Sequence, residues 1–170
     1  MFTNSLFKKI DYLYLVPRIL SSTFYGDSAL EEIGTLEIDF KNNKGTSKYN
    51  MFFECTSLRT APKMITGIIT SMQNLYYGCV LLEKIEGLDV SSVNTVTDMF
   101  KKCNKLNYVK LFSTDAQRLN NVILQLPSHP DANQYDFIID LSDNSNTVIE
   151  QYLNTFVPPS GWSIITGGDQ

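Results

Sequence analysis

Three cysteines and one histidine are the residues of this sequence whose chemistry is easiest to name. Cys55, Cys79 and Cys103 lie 24 residues apart, and His129 is the only histidine. Together they suggest either a zinc site or a cysteine nucleophile activated by an imidazole. Zinc usually needs four ligands, often in Cys-x-x-Cys pairs, and the sequence has no such pair. We expect reduced, buried thiols and neither a metal nor a cofactor, and an enzyme using Cys79 or Cys103 with His129 is the least favoured alternative.

A carboxylate cluster lies late in the chain at Asp136, Asp140 and Asp143. Carboxylates bind calcium, but this stretch lacks the central glycine and the terminal glutamate of a calcium-binding loop. We interpret the three residues as the solvated positions of a strand and the cap of a helix. The sequence also has no glycine-rich phosphate loop and no Gly-x-Ser-x-Gly elbow, which disfavours several common classes of enzyme.

The equal spacing of the cysteines belongs to a longer repeat. When the chain is written in 24-residue rows, an apolar residue and an aromatic residue stand just before each cysteine. The pairs are Met51-Phe52, Leu75-Tyr76 and Met99-Phe100, and the apolar columns after the cysteines are Leu58/Leu82/Leu106, Ala61/Ile85/Val109 and Met64/Leu88/Phe112. Columns that stay in phase over several rows indicate a tandem repeat.

Two earlier rows follow the same pattern with altered lengths. In the second row Asp27 takes the cysteine column, and the polar stretch 41–47 lengthens the row as a surface loop. In the first row Ile10 takes the cysteine column, and Leu13 and Val16 take the columns of Leu58 and Ala61. The five repeats therefore start near residues 6, 23, 51, 75 and 99.

A unit of this length presents an apolar stripe that it cannot bury alone, so successive units must stack. Each turn should contribute one short parallel strand, marked by the Leu-x-x-apolar spacing. A return segment should then close as a short helix or 3₁₀ turn before the cysteine. The predicted fold is α/β, a leucine-rich-repeat-like solenoid over residues 1–112 with one strand per turn of about 24 residues.

The remaining residues, 113–170, have a different pattern. Ser113 or Thr114 is placed to cap a helix that ends before Pro127, and a strand is expected over Tyr135–Leu141. A second helix, capped between Asp143 and Asn146, and a strand over Gly161–Thr166 complete an α-β-α-β order. We expect this segment to be a C-terminal βα cap that is continuous with the solenoid and extends its sheet.

The repeat resembles the BspA-type leucine-rich repeat. The resemblance rests on Met99-Phe100-x-x-Cys103-x-x-Leu106 and on the preceding stretch Leu88-Asp89-Val90-Ser91, which ends in Val96-Thr97-Asp98. It is strongest over residues 75–112, and the sequence departs from it at Ile10, Asp27, Lys63 and Gly87. Similar repeats occur in bacterial surface proteins and in phage-encoded proteins, so the resemblance implies attachment or another host interaction.

The outward positions of the predicted strands are the candidate binding surface. Glu31, Arg59 and Glu83 should form a ladder of alternating charge across neighbouring strands. Tyr14, Leu15 and Tyr108 should flank this ladder. The full set is Tyr14, Leu15, Glu31, Glu32, Arg59, Glu83, Lys84, Glu86, Tyr108 and Lys110. Cross-strand pairing on a wet face and a protein-contact surface are both consistent with this pattern.

Composition limits the function further. The 170 residues carry 14 basic and 18 acidic side chains, giving a net charge of −4, and this disfavours nucleic acid as a partner. The sequence has no apolar run long enough to cross a membrane and no signal peptide at Met1. We expect a protein that is cytoplasmic as made and is not inserted in a membrane.

The leading hypothesis is a non-enzymatic solenoid that binds a protein, or a surface glycan, as a phage-encoded or bacterial host-interaction component such as a virion tail accessory. Virion association would explain a surface role without a signal peptide. An intracellular inhibitor or adaptor that binds a host factor is the alternative. A homo-oligomer is compatible with either function, because solenoid faces are extended and rigid.

Overall fold

The structure is a computed structural model that describes residues 6–15, 21–38, 50–65, 69–133 and 136–167. Three sequence expectations lie outside these residues, namely the position of Val16, the loop 41–47 and the strand start at Tyr135. The described elements, in chain order, are β1 (Lys9–Leu15), β2 (Glu32–Ile38), β3 (Thr60–Ala61), β4 (Lys63–Ile65), β5 (Lys84–Asp89), β6 (Tyr108–Phe112), α1 (Ala116–Ile123), β7 (Phe137–Asp140), α2 (Asn146–Thr155) and β8 (Trp162–Ile165).

The strands form one parallel sheet. Its order is β1-β2-β3-β5-β6-β7-β8, and β4 pairs with β2 beside β3. Each described pair is parallel, so the chain must cross back between one strand and the next. The predicted α/β class with parallel strands is confirmed.

The inward side chains of neighbouring strands lie opposite one another. Ala61 is opposite Ile85, Ile85 is opposite Val109, and Val109 is opposite Ile139. All four side chains are at most 1% exposed. At these positions the alignment of β3, β5 and β6 follows the 24-residue columns of the sequence, and β7 extends the same inward row. The last predicted column is wrong: the register shifts between Ile85 and Leu88, so Leu88 lies opposite the buried Leu111, and Phe112 is 37% exposed.

The predicted alignment of the first row is wrong. Ile10 lies opposite Ile33 and Leu13 lies opposite Leu36, whereas the sequence pattern placed Leu13 opposite Leu30. The strand begins at Lys9, and Ile10 and Leu13 pack against the core. The observed row is displaced by six residues from the predicted one, and Ile10 takes the position opposite Ile33 where the sequence pattern placed Val16.

The segments before the cysteines are hydrogen-bonded turns rather than helices. In the turn before Cys79, the amide of Tyr77 donates to Asn74 and that of Cys79 donates to Tyr76. Left-handed backbone recurs at two sets of positions, Ser22/Asn50/Asn74/Asp98 and Gly26/Glu54/Gly78/Lys102. Of the two expected forms, a short helix and a 3₁₀ turn, the structure has turns with 3₁₀-type bonds between residues three apart. The residues with positive φ interrupt this bonding, so no helix forms in the described turns.

Neighbouring turns also bond to one another. The amides of Phe52 and Tyr76 donate to the carbonyls of Leu75 and Met99, each at 3.0 Å. A stack of buried rings runs through the same turns, with centroid separations of 5.2, 5.4 and 6.1 Å. The stacked residues are Phe24, Phe52, Tyr76 and Phe100.

The last four elements occur in the expected α-β-α-β order, with two differences in detail. Asp115, rather than Ser113 or Thr114, caps α1, because its carboxylate accepts from the Arg118 amide at 2.9 Å. The helix ends at Ile123, before the expected stop at Pro127. Ser145 caps α2, and β7 and β8 continue the sheet beyond β6.

Candidate functional site

The three cysteines are free, buried and bonded to the backbone. Each Sγ donates to a carbonyl of the preceding turn at 3.0 Å. The acceptors are the carbonyls of Phe24, Phe52 and Tyr76 for Cys55, Cys79 and Cys103 respectively. The thiols therefore act as small internal donors that tie one turn to the next.

Burial keeps these thiols protonated. It raises the pKa of Cys55 and of Cys103 to about 12 and holds the pKa of Cys79 well above its ordinary value. The ring of His129 stacks on Phe137 at a centroid separation of 3.7 Å, and its Nε2 has no hydrogen-bond partner among the described residues. No described geometry supplies a thiolate paired with an imidazole.

The members of the carboxylate cluster have different contacts. Asp136 accepts from the amide of Asn133, and Asp143 pairs with Lys110 at 3.0 Å. Asp140 is only 6% exposed, so the expectation of a fully solvated strand position is wrong for it. Within the described parts of the chain, no group of three potential ligands is placed to hold a metal ion.

The predicted charge ladder lies at the start of the strands. The Arg59 amide donates to the Glu31 carbonyl at 3.0 Å, and the Glu83 amide donates to the Arg59 carbonyl at 2.8 Å. The Arg59 guanidinium donates to Glu83 at 2.9 Å, while Glu31 pairs with Lys8 at 3.1 Å. Opposite charges thus alternate along this row, and Lys8 extends it to β1.

A second row of charged and aromatic side chains lies one residue further along the strands. Lys9 donates to Glu32 at 2.8 Å, and this hydrogen bond raises the pKa of Lys9. Lys84 bonds Glu86 of its own strand at 2.7 Å, and its Nζ lies 4.9 Å from the centroid of the Tyr108 ring. Charges of both signs are therefore paired within the protein along this row as well.

A polar cluster joins β6 to β7 and to the loop that follows β7. The Tyr108 hydroxyl donates to Asp140 at 2.6 Å, and Lys110 lies 3.9 Å from the same carboxylate. Burial alone would raise the pKa of Asp140, but hydrogen bonds from Ser142 and Tyr108 hold it below its ordinary value. Burial and the bond to Asp140 raise the pKa of Tyr108, and the bond to Asp143 raises that of Lys110.

Tyr14 and Leu15 do not flank the charge ladder. The displaced first strand places them opposite Glu37 and Ile38, at the other end of β2 from Glu31. Tyr12, which the sequence reading left out, is 56% exposed and donates to the Glu37 carboxylate. The structure therefore brings together Glu31, Glu32, Arg59, Glu83, Lys84, Glu86, Tyr108 and Lys110, and separates Tyr14 and Leu15 from them.

Sequence reasoning also missed a second aromatic stack that lies nearer the surface. Tyr25, Phe53 and Tyr77 stack with centroid separations of 4.9 and 4.6 Å, and the Nζ of Lys102 lies 5.1 Å from the Tyr77 centroid. The signal was present in the sequence, because these residues directly follow the buried ring positions in each row.

Comparison of the chain with protein-family models, with curated proteins and with solved structures finds no match. Among the described residues, neither helix has the length and apolar character needed to cross a membrane.

Proposed function

We propose that this chain is a non-enzymatic binding protein, a leucine-rich-repeat-type solenoid whose outward sheet face binds another protein. The observation that carries the proposal is the set of charged and aromatic side chains aligned on adjacent strands. The central residues are Arg59, Glu83, Lys84 and Tyr108; parallel pairing aligns Lys84 with Tyr108, and a backbone hydrogen bond joins Glu83 to Arg59. Such a face loses little conformational entropy on binding.

The pattern of contacts favours a protein over the other partner classes. Positive and negative side chains alternate on the face, so it lacks the single positive field that attracts a nucleic acid. Lys84 lies over the ring of Tyr108, and the Tyr108 hydroxyl donates a hydrogen bond to Asp140. Because both parts of the Tyr108 side chain already have partners, Tyr108 offers fewer contacts to a sugar. A partner protein whose surface charges are complementary to this mixed pattern can be recognised specifically.

The resemblance to BspA-type repeats supports the finer part of the proposal. Because similar repeats occur in bacterial surface proteins and in phage proteins, we place the partner on a host cell and propose an attachment role, including association with a virion. The intracellular inhibitor hypothesis shares the binding face and differs only in where the partner is found.

The test compares retention of host proteins by wild-type chain and by two triple variants. The face variant carries Arg59→Ala, Lys84→Ala and Tyr108→Ala. The matched control replaces three exposed residues away from the strand rows, with changes Thr56→Ala, Asn104→Ala and Lys105→Ala. Each immobilised protein is incubated with candidate host lysate, and the retained proteins are quantified by mass spectrometry.

We expect at least one host protein to be retained by wild type and control and reduced about tenfold or more by the face variant, since a lost central contact costs more than about 1 kcal/mol. Equal retention by all three chains would contradict the proposed face. Loss of retention after periodate treatment of the lysate would instead identify a glycan partner.

A further inference from the structure

The free edge of the sheet at β1 is unusually apolar. Four large hydrophobic side chains in or just before this strand are exposed: Leu6 95%, Phe7 60%, Tyr12 56% and Tyr14 47%. In the described sheet β1 pairs only with β2, so its other edge is open. Open apolar edges favour pairing with another strand, and soluble proteins usually protect them.

We propose that this edge, residues 6–15, is the interface between two copies of the chain, packed antiparallel about a two-fold axis. In a two-fold dimer the same surface patch of both copies meets, so the edge must be self-complementary. The sequence of β1 satisfies this requirement in one register.

The register follows from charge. Directly opposed side chains of an antiparallel pair lie on the same sheet face, so a two-fold axis perpendicular to the sheet must pass between two copies of one residue. Centring the axis on Lys9 or on Asp11 opposes like charges. Centring it on Ile10 places Lys9 of each copy opposite Asp11 of the other, which forms two attractive pairs.

The apolar residues agree with the same register. The strand begins at Lys9, so an axis at Ile10 brings residues 6–8 of each copy alongside residues 12–14 of the other. The exposed side chains of Leu6, Phe7, Tyr12 and Tyr14 are thereby gathered along the interface. Asp11 is exposed and forms no salt bridge with the described residues, so it is available to the second copy.

A dimer of this kind has a functional consequence that rests on the proposed binding face. The two-fold axis lies perpendicular to the sheet, so both copies turn their outward faces to the same side. Two binding faces would then meet one target surface, which raises avidity without any new contact.

Sedimentation equilibrium over about 1 to 100 µM tests the dimer. We compare the wild type, Asp11→Lys, and a double variant, Lys9→Glu with Glu32→Lys, which retains an ion pair between β1 and β2. The first variant makes the edge positive and the second makes it negative. We expect the wild type to dimerise, each variant alone to be monomeric, and an equimolar mixture of the two to dimerise again.

Three outcomes would overturn the proposal: a wild type that remains monomeric, variants that dimerise as well as wild type does, or a mixture that stays monomeric. Polymers that grow with concentration would indicate head-to-tail stacking of β8 on β1 instead. Hydrogen exchange of the wild type gives a readout independent of any variant, because dimerisation should add protection at residues 6–15 and not at β8. The Arg59/Lys84/Tyr108 variant should remain dimeric, which separates failure of the interface from failure of the binding face.

Discussion

Tyr76 is the one tyrosine in the buried aromatic stack, and its hydroxyl group leads to a stability prediction of unusual sign. Its ring lies between Phe52 and Phe100, and the side chain is fully buried. Its hydroxyl has no hydrogen-bond partner among the described residues, whereas the other three members of the stack are phenylalanines. Burial also raises the pKa of Tyr76, so the phenol stays neutral.

The change Tyr76→Phe should therefore stabilise the protein. An unpartnered buried hydroxyl costs about 1 to 3 kcal/mol, and phenylalanine keeps the ring stack while removing that cost. The oxygen leaves a void of roughly 10 Å³, which costs only about 0.2 kcal/mol. We expect the free energy of unfolding to rise by about 1 to 2 kcal/mol, and the melting temperature by about 2 to 4 °C for each kcal/mol.

Urea unfolding followed by circular dichroism measures this difference. Tyr108→Phe is the matched control, since it removes the 2.6 Å bond to Asp140 and should lower the free energy of unfolding by about 1 to 2 kcal/mol. If Tyr76→Phe were neutral or destabilising, the Tyr76 hydroxyl would have a partner in solution, such as a buried water, and the reasoning would fail.

Three further predictions follow from the described geometry. At pH 8 a thiol with a pKa of about 12 is ionised at roughly one part in 10⁴, so native protein should react with a thiol reagent at least about a hundredfold more slowly than urea-unfolded protein; rapid labelling would contradict the buried column. The pKa of Asp140 is lower in the folded than in the unfolded protein. The ionised carboxylate therefore stabilises the fold above its unfolded pKa of about 4, and this stabilisation is lost as pH falls through the folded pKa. Chemical unfolding at stepped pH should show a smaller loss of stability in that pH range for Asp140→Asn than for wild type. Gly161 has φ +89°, and a Cβ there would lie 2.1 Å from the His129 carbonyl oxygen, so Gly161→Ala should cost more than about 1 kcal/mol; Gly87→Ala, which meets open space, should stay within about 0.5 kcal/mol in the same urea assay.

The buried part of this structure could be predicted well from the sequence. Ile85 and Val109 pair with the expected neighbours because their apolar side chains must be buried in the core, and the 24-residue spacing repeats this requirement in each row. The alignment of the first strand was predicted wrongly because its row is short and is compatible with two alignments of the apolar residues. Ile10, rather than Val16, takes the position opposite Ile33, and that choice depends on the packing of the whole sheet rather than on the row itself.

The surface contacts were much less predictable. Lys84 bonds Glu86 of its own strand and lies over the ring of Tyr108, while Arg59 bonds Glu83 beside the next strand. Alternative ion pairs of a long charged side chain differ in free energy by only fractions of a kcal/mol, and residue spacing does not encode such differences. Asp140 was predicted to be solvated because its position is outward, yet its carboxylate accepts hydrogen bonds from the Tyr108 hydroxyl and from the Ser142 amide in the loop after β7.

The cysteine positions show why a chemically suggestive pattern must be judged by its contacts. Each thiol donates to a carbonyl of the preceding turn, so the position selects a small side chain that can donate a hydrogen bond while buried. Asp27 occupies the same column one turn earlier, and its carboxylate accepts from the Ala29 amide. Two different residue types thus make backbone contacts at one structural position.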